Sequence, residues 1–227
     1  MSTPKQQYYE NLADSLIDKF NLRGIEGYYC ETKEEAAKLG MELMKDAKTV
    51  GMGGTESVKE CGLLDAVKTS DTLHFIDRNL ATTPEERKAV FLETMACDYF
   101  LMSSNAITID GELVNIDGNA NRVACLMHGP EHVLIVAGMN KITTDVRAAI
   151  DRVRNIASPP NAVRLSKNTP CAKFGRCGDC LNEDCICCHK LIDNETHFGQ
   201  SVFSKQECRL FGGANGGCLC RGNNECF

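Results

Sequence analysis

The sequence predicts an α/β protein, built on a mainly parallel sheet covered on both faces by helices, with one antiparallel hairpin inserted. Three observations carry this. Helix-type and strand-type segments alternate along most of the chain. Ser/Thr-x-x-Glu capping boxes recur before helical patterns, at Thr32/Glu35, Ser57/Glu60 and Thr83/Glu86. Two runs, YFLM and HVLIVAG, are apolar without alternation, as strands buried on both faces are.

In order, Leu12, Leu16, Ile17 and Phe20 recur at helical spacing and make the first twenty residues an amphipathic helix. GIEGYYCE reads as a short strand. Thr32 and Glu35 open a helix with Ala36, Leu39 and Leu43 on one face, before the strand and glycine turn KTVGMGG. Ser57 and Glu60 open another helix through VKECGLLDAVK, and TLHFID follows as a strand. Thr83, Pro84 and Glu86 combine a cap, a proline at the first helical position and a capping box, starting a helix to about Met95. YFLM is the next strand, then AITI and ELVNI form a hairpin across Asp110-Gly111. A helix from Asn121 to about His128 precedes the strand HVLIVAG. Thr144 opens a last helix with Val146, Ala149, Ile150 and Val153 on one face, and SPPN is expected to end it.

Cysteine usage divides the chain. Of fourteen cysteines, only Cys30, Cys61, Cys97 and Cys125 precede Cys171, each among apolar neighbours where it packs as a small hydrophobe. We therefore divide the chain into an α/β domain, 1–170, and a Cys-rich segment, 171–227. A net charge of -6 provides no basic face for a nucleic-acid backbone. No run of apolar residues is long enough to span a bilayer, and the N-terminus lacks a signal-type apolar core. The expectation is a soluble cytoplasmic protein with neither nucleic acid nor membrane as partner. In a reducing compartment, CAKFGRCGDCLNEDCICCHK suits metal binding better than disulfides, though a disulfide-linked or free-thiol tail stays open. Cys171, Cys177, Cys180, Cys185, Cys187 and Cys188 are the candidate ligands, with Cys208, Cys218, Cys220 and Cys226 as further partners or a second set. Cys177-x-x-Cys180 has the chelating spacing of both zinc and iron–sulfur sites, so zinc or an iron–sulfur cluster is expected.

Two stretches are candidates for ligand binding. VGMGGTES lies between a strand and a helix, where Gly51, Gly53 and Gly54 would let a ligand approach the backbone and Thr55 and Ser57 offer hydroxyls. It is neither the dinucleotide fingerprint nor the Walker loop, and an ordinary tight turn explains it equally. SSNAITIDGELVNIDGNANRVA concentrates Asn105, Asp117, Asn121 and Arg122 around two Asp-Gly turns. Asp110, Asn115, Asp117 and Asn119 need no ligand, since Asp and Asn bond their own backbone in turns, but a guanidinium at a helix start needs a carboxylate or a ligand anion. Lys141, after HVLIVAG, either binds substrate charge at a strand end or lies on the surface. His74, in an apolar strand, reads as a core histidine.

These stretches, with HGPEHVLIVAGMNKI and DVRAAIDRVRNIASPPNAVRL, resemble the LUD domain, the family of lactate-utilisation protein C and its stand-alone relatives, over roughly residues 5–190. The likeness continues into Pro170, Cys171, Lys173, Gly175, Cys177, Asp179 and Cys180. It implies a three-layer α/β/α body with a Rossmann-like sheet of the phosphosugar isomerase and CoA-transferase type. It also implies an accessory role in oxidising L-lactate to pyruvate with iron–sulfur protein partners, the ligand being a small anion. The alternatives are a stand-alone enzyme acting on a phosphorylated or acyl small molecule, and a non-catalytic scaffold or regulatory module. Two departures stand out. Ala120 replaces a glycine expected before Asn121, and the tail QSVFSKQECRLFGGANGGCLCRGNNECF lacks the apolar closing strand of the pattern.

Overall fold

A computed structural model describes residues 3–180, 183–193 and 207–213. The first helix, α1 (Pro4–Leu22), starts at a Thr3/Gln6 capping box and leads into β1 (Ile25–Cys30). Thr32 and Glu35 cap α2 (Lys33–Leu43) as the sequence implies, and β2 (Thr49–Met52) follows. The next helix is broken in two, α3 (Ser57–Glu60) and α4 (Leu63–Lys68), because Gly62 adopts a left-handed φ of 85° between them. Ser57 is not its cap. It lies inside the first turn, while the Thr55 hydroxyl accepts from the Val58 N–H at 3.5 Å.

β3 (His74–Phe75) is a two-residue strand at the sheet edge, so the core position expected for His74 is overturned. Its imidazole is exposed and meets Glu93 at 3.7 Å. Thr83, Pro84 and Glu86 start α5 (Pro84–Met95) as expected, then come β4 (Tyr99–Met102), β5 (Ala106–Thr108) and β6 (Leu113–Asp117). β5 and β6 form the antiparallel hairpin, with Gly111 at φ 83° in its turn.

The chain continues through α6 (Asn121–Met127), β7 (His132–Val136) and β8 (Ile142–Thr143). Asp145, not Thr144, caps α7 (Val146–Arg152), accepting from the Ala148 N–H at 2.8 Å. SPPN does not end the helical path. A π-helical turn over Val153–Ala157 leads directly into α8 (Ser158–Arg164), whose first turn takes the prolines. The regular i→i−4 ladder gives way at this π turn, so the prolines enter where the hydrogen-bond pattern is already changed. α9 (Pro170–Phe174), β9 (His189–Asp193) and β10 (Glu207–Gly213) complete the described elements.

Six strands form a parallel sheet in the order β1-β10-β7-β4-β2-β3. A second, mixed sheet runs β8-β5-β6-β9, so the hairpin belongs to its own sheet rather than to the parallel one. ECRLFGG, which shows little strand pattern in sequence, therefore supplies a central strand between β1 and β7.

Strand geometry sends alternate side chains to opposite faces. Phe100, Met102, Val133 and Ile135 pack with Leu16 and Phe20 of α1 and with Val90 and Phe91 of α5. Tyr99, Leu101, Leu134 and Val136 pack with Ala36 and Leu39 of α2 and with Val58, Leu63 and Val67 of α3 and α4. Both faces of the parallel sheet are thus covered by helices, and the protein has a mixed α/β fold. The hairpin splits in the same way. Ile107 and Leu113 join the α1 side, while Ala106 and Val114 meet Ala149 and Val153. Among the described residues, no helix is long and apolar enough to cross a membrane.

Gly51, inside β2, shows how closely α5 approaches the sheet: a Cβ there would lie 2.7 Å from Thr94 Cγ2. Thr94 is pinned by its own hydroxyl, which donates to the Val90 carbonyl at 2.8 Å. Gly51→Ala is expected to destabilise the fold by about 1–3 kcal/mol, the usual cost of overpacking. Denaturant unfolding measures it, and an unchanged midpoint would show that α5 shifts freely.

Candidate functional site

In a parallel sheet every strand delivers its C-terminal end to the same edge, and the connections there surround a cavity of about 420 Å³. Small-molecule sites commonly measure about 300–1,000 Å³. The turn after β2 contributes Gly54, Thr55 and Ser57. The turn after β4 contributes Ser103, Ser104 and Asn105, and the turn after β7 contributes Asn140 and Lys141. Arg152 of α7 and Asn161 and Arg164 of α8 form the opposite wall.

Arg122 is 6% exposed and uses all its donors within the protein. Nε and Nη2 donate to Asp117 Oδ1 at 3.2 and 3.1 Å. Nη1 donates to the Ser103 carbonyl at 2.8 Å and to Asn115 Oδ1 at 2.7 Å. Nη2 also donates to Asn105 Oδ1 at 2.7 Å and to the Ile116 carbonyl at 3.3 Å. The other Asp117 oxygen accepts from the Val123 N–H, which fastens α6 to the same carboxylate. Of the two partners that the sequence left open for Arg122, the structure supplies the protein carboxylate. The turn that delivers it runs through Ala120 at φ 57° and ψ 0°, so alanine takes the left-handed path of a glycine, at a cost on the order of 1 kcal/mol.

Lys141 lines the same cavity. Its Nζ donates to Ser103 Oγ at 2.7 Å and to Ser57 Oγ at 3.0 Å. The residue is half-buried, and desolvation lowers its pKa to about 7. Arg152 and Arg122 push in the same direction, while Glu60 opposes them. Burial in turn raises Glu60. Arg152 spends Nε on the Asn140 carbonyl at 3.1 Å and Nη1 on the Asn105 carbonyl at 2.6 Å. Arg164 reaches across to Glu56 at 3.0 Å, linking α8 to the β2 turn at the cavity wall.

The structure thus brings Gly54, Thr55, Ser57, Asn105, Arg122 and Lys141 to one cavity. Gly51 lies outside it, packed against Thr94, and a Cβ on Gly53 would lie 3.1 Å from Arg122 Cγ, so that glycine makes room for the arginine stem. Asp117 stands behind the cavity as the arginine's counter-ion, and Asn121 does not line it. Sequence reasoning missed Ser103, Glu60 and Arg152 as cavity residues. Arg152 carries no local signal, being one of several arginines on a helix.

Burial raises the thiols of Cys30 and Cys97 to about 11 and that of Cys125 to about 12, which leaves them unreactive core groups. In the Cys-rich segment, Cys188 donates to the Cys185 carbonyl at 3.7 Å. Burial raises Cys187 to about 11, and the neighbouring Cys185, Cys171 and Cys177 add to the rise. Arg154 holds this segment through Asp179 at 2.9 Å. Among the described residues, no three His, Cys, Asp or Glu side chains are arranged to hold a metal ion. Cys208 falls in β10, and Cys218, Cys220 and Cys226 lie outside the described residues.

The structure is thus a mixed α/β fold with a cation-lined cavity at the strand ends of its parallel sheet. The family profile of the LUD domain matches residues 13–201, and the chain belongs to that family. A DUF162 family protein from Deinococcus radiodurans, known from a crystal structure, is similar in fold at 12% identity. The likeness covers 89% of this chain and 96% of that one, with a TM-score of 0.52. eIF2B delta from Chaetomium thermophilum matches at 16% identity over 66% of this chain and 60% of that one, with a TM-score of 0.34. No curated protein matches.

Arg122→Ala is expected to cost about 2–4 kcal/mol of stability, since it strands the largely buried Asp117 carboxylate and the Asn105 and Asn115 carbonyls. Arg122→Lys should rescue little, because an ammonium cannot reproduce the planar fork. Chemical unfolding of both variants measures this, and a loss below about 1 kcal/mol would count against a buried ion pair as keystone.

Proposed function

We propose that this LUD-domain protein holds a small anionic organic molecule in the cavity, in a cytoplasmic accessory role in oxidation of L-lactate to pyruvate beside iron–sulfur protein partners. Family membership supports the metabolic setting. The binding half rests on Arg152, whose two bonds to carbonyl oxygens use Nε and Nη1 and leave Nη2 for a ligand at the cavity wall. Guanidinium groups bind carboxylates and phosphates by paired, charge-assisted hydrogen bonds. The Thr55 and Ser57 hydroxyls add neutral donors suited to the same oxygens. The three-layer Rossmann-like arrangement of the phosphosugar isomerase and CoA-transferase type is part of this reading, supported by helices on both faces of the parallel sheet.

The second reading is a stand-alone enzyme acting on a phosphorylated or acyl small molecule. Lys141 favours it, because a desolvated amine near neutrality, flanked by two hydroxyls, is an arrangement suited to proton transfer or covalent chemistry.

Calorimetric titration with L-lactate, pyruvate and inorganic phosphate tests the binding half. Arg152→Ala is expected to weaken the anion that binds by about 1–3 kcal/mol. Equal affinity in the variant would refute the role of Arg152, and failure of all three anions in the intact protein would favour a scaffold.

The proposal extends to a metal centre, an iron–sulfur cluster or zinc, in the segment 171–188. The donor chemistry supports it: Cys177-x-x-Cys180 has a chelating spacing, and Cys185, Cys171 and Cys177 all act electrostatically on Cys187. A bound metal would supply redox or structural stabilisation there. Protein purified without oxygen should carry iron or zinc, with visible absorption if iron–sulfur. Traces of both metals alongside fully titratable thiols would sink the metal reading.

A further inference from the structure

We propose that Lys141 is a covalent residue whose amine condenses with the carbonyl carbon of a small anionic carbonyl compound, a 2-oxo acid being the simplest, held in the strand-end cavity. This rests on the anion-binding reading of the cavity and adds the reacting group and the substrate class.

The geometry carries the argument. Lys141 is anchored in a 3-10 turn at Met139–Lys141, immediately beyond the end of β7. Two hydroxyl oxygens from separate elements, Ser103 after β4 and Ser57 in α3, accept from its nitrogen at 2.7 and 3.0 Å. The contact partners are neutral oxygens, so no carboxylate bonds the ammonium directly. A lysine serving as a structural cation would be expected to face one.

The charged groups acting on it are Arg152 of α7, Arg122 of α6 and Glu60 of α3. Arg122 is already neutralised by Asp117, whereas Arg152 bonds only carbonyl oxygens. A ligand anion attracted to Arg152 therefore enters a cavity lined by an amine. Desolvation beside cationic groups is the general way to keep a lysine amine neutral and nucleophilic. The pKa near 7 agrees with this placement.

A serine nucleophile with Lys141 as its base fits less well. The Ser103 hydroxyl donates to the Ser104 carbonyl at 3.3 Å, turning its proton away from the lysine. The condensation balances without an oxidant. The neutral amine attacks the carbonyl carbon, and the resulting carbinolamine carries both nitrogen and oxygen on that carbon. One proton moves from nitrogen to oxygen through a serine hydroxyl, giving up and regaining one of its own. Loss of water then leaves the imine, so amine plus carbonyl yields imine plus water.

Incubating the full chain with pyruvate and sodium cyanoborohydride, followed by peptide mass mapping, tests this. The reduced adduct should reside on Lys141 and vanish in Lys141→Met, whose folding is checked by circular dichroism. Labelling should fall roughly tenfold for each unit of pH below about 7 and level off above it, following the neutral amine. No adduct, or labelling spread over exposed lysines and still rising toward their ordinary range near pH 10, overturns the inference. L-lactate, which has the carboxylate without the carbonyl, separates the two readings by calorimetry. If lactate binds and pyruvate leaves no adduct, the covalent role fails while the anion site stands. If neither binds, both fail.

Discussion

The Arg122 guanidinium is the interaction on which the cavity depends. Burying a guanidinium is costly unless every donor is met, and here the donors reach Asp117, Asn115, Asn105 and the Ser103 and Ile116 carbonyls. These partners come from β6 and from the turn after β4, while the arginine itself rides on α6. One side chain therefore ties the edge of the parallel sheet to the mixed sheet. Ser103 and Asn105 are held by this network, and both line the cavity.

That commitment divides the work among the cations. Arg122 lends its field to the cavity but no free donor, and Asp117 offsets most of its charge. Arg152, by contrast, is positioned by bonds to carbonyls without being neutralised, which is why the proposed anion site rests on it. Lys141 sits between the two arginines and Glu60, with hydroxyls rather than a carboxylate in contact. A rigid, already satisfied arginine beside a desolvated lysine is a preorganised arrangement, because no polar group needs to be stripped of its partner when a ligand enters.

The C-terminal stretch is woven into both sheets. β9 pairs along all of β6, the strand that carries Asn115 and Asp117, and β10 separates β1 from β7. The thiol segment before β9 is held near the π-helical turn, where Arg154 meets Asp179. The same helical path supplies Arg152, Asn161 and Arg164 to the cavity. The thiol segment and the cavity thus share a supporting element.

Local signals were legible where the physics is local. The boxes at Thr32 and Thr83 satisfy backbone donors within one turn, so sequence alone determined α2 and α5 and their starts. The buried strands β4 and β7 and the Asp110-Gly111 hairpin were legible for the same reason, as was the likeness to the LUD domain. Ser57 misled, because the box pattern is necessary but not sufficient: its hydroxyl faces Lys141, far along the chain, instead of its own helix. His74 misled because an apolar neighbourhood in sequence does not say whether a strand lies at the centre or the edge. β10 has little apolar pattern of its own, and only pairing with β1 and β7 makes it a strand. The partner of Arg122, the vicinity of Arg152 to Lys141 and the lowered lysine pKa were likewise tertiary decisions. Each depends on charge, burial and distance between residues remote in the chain, quantities that no run of neighbouring residues encodes.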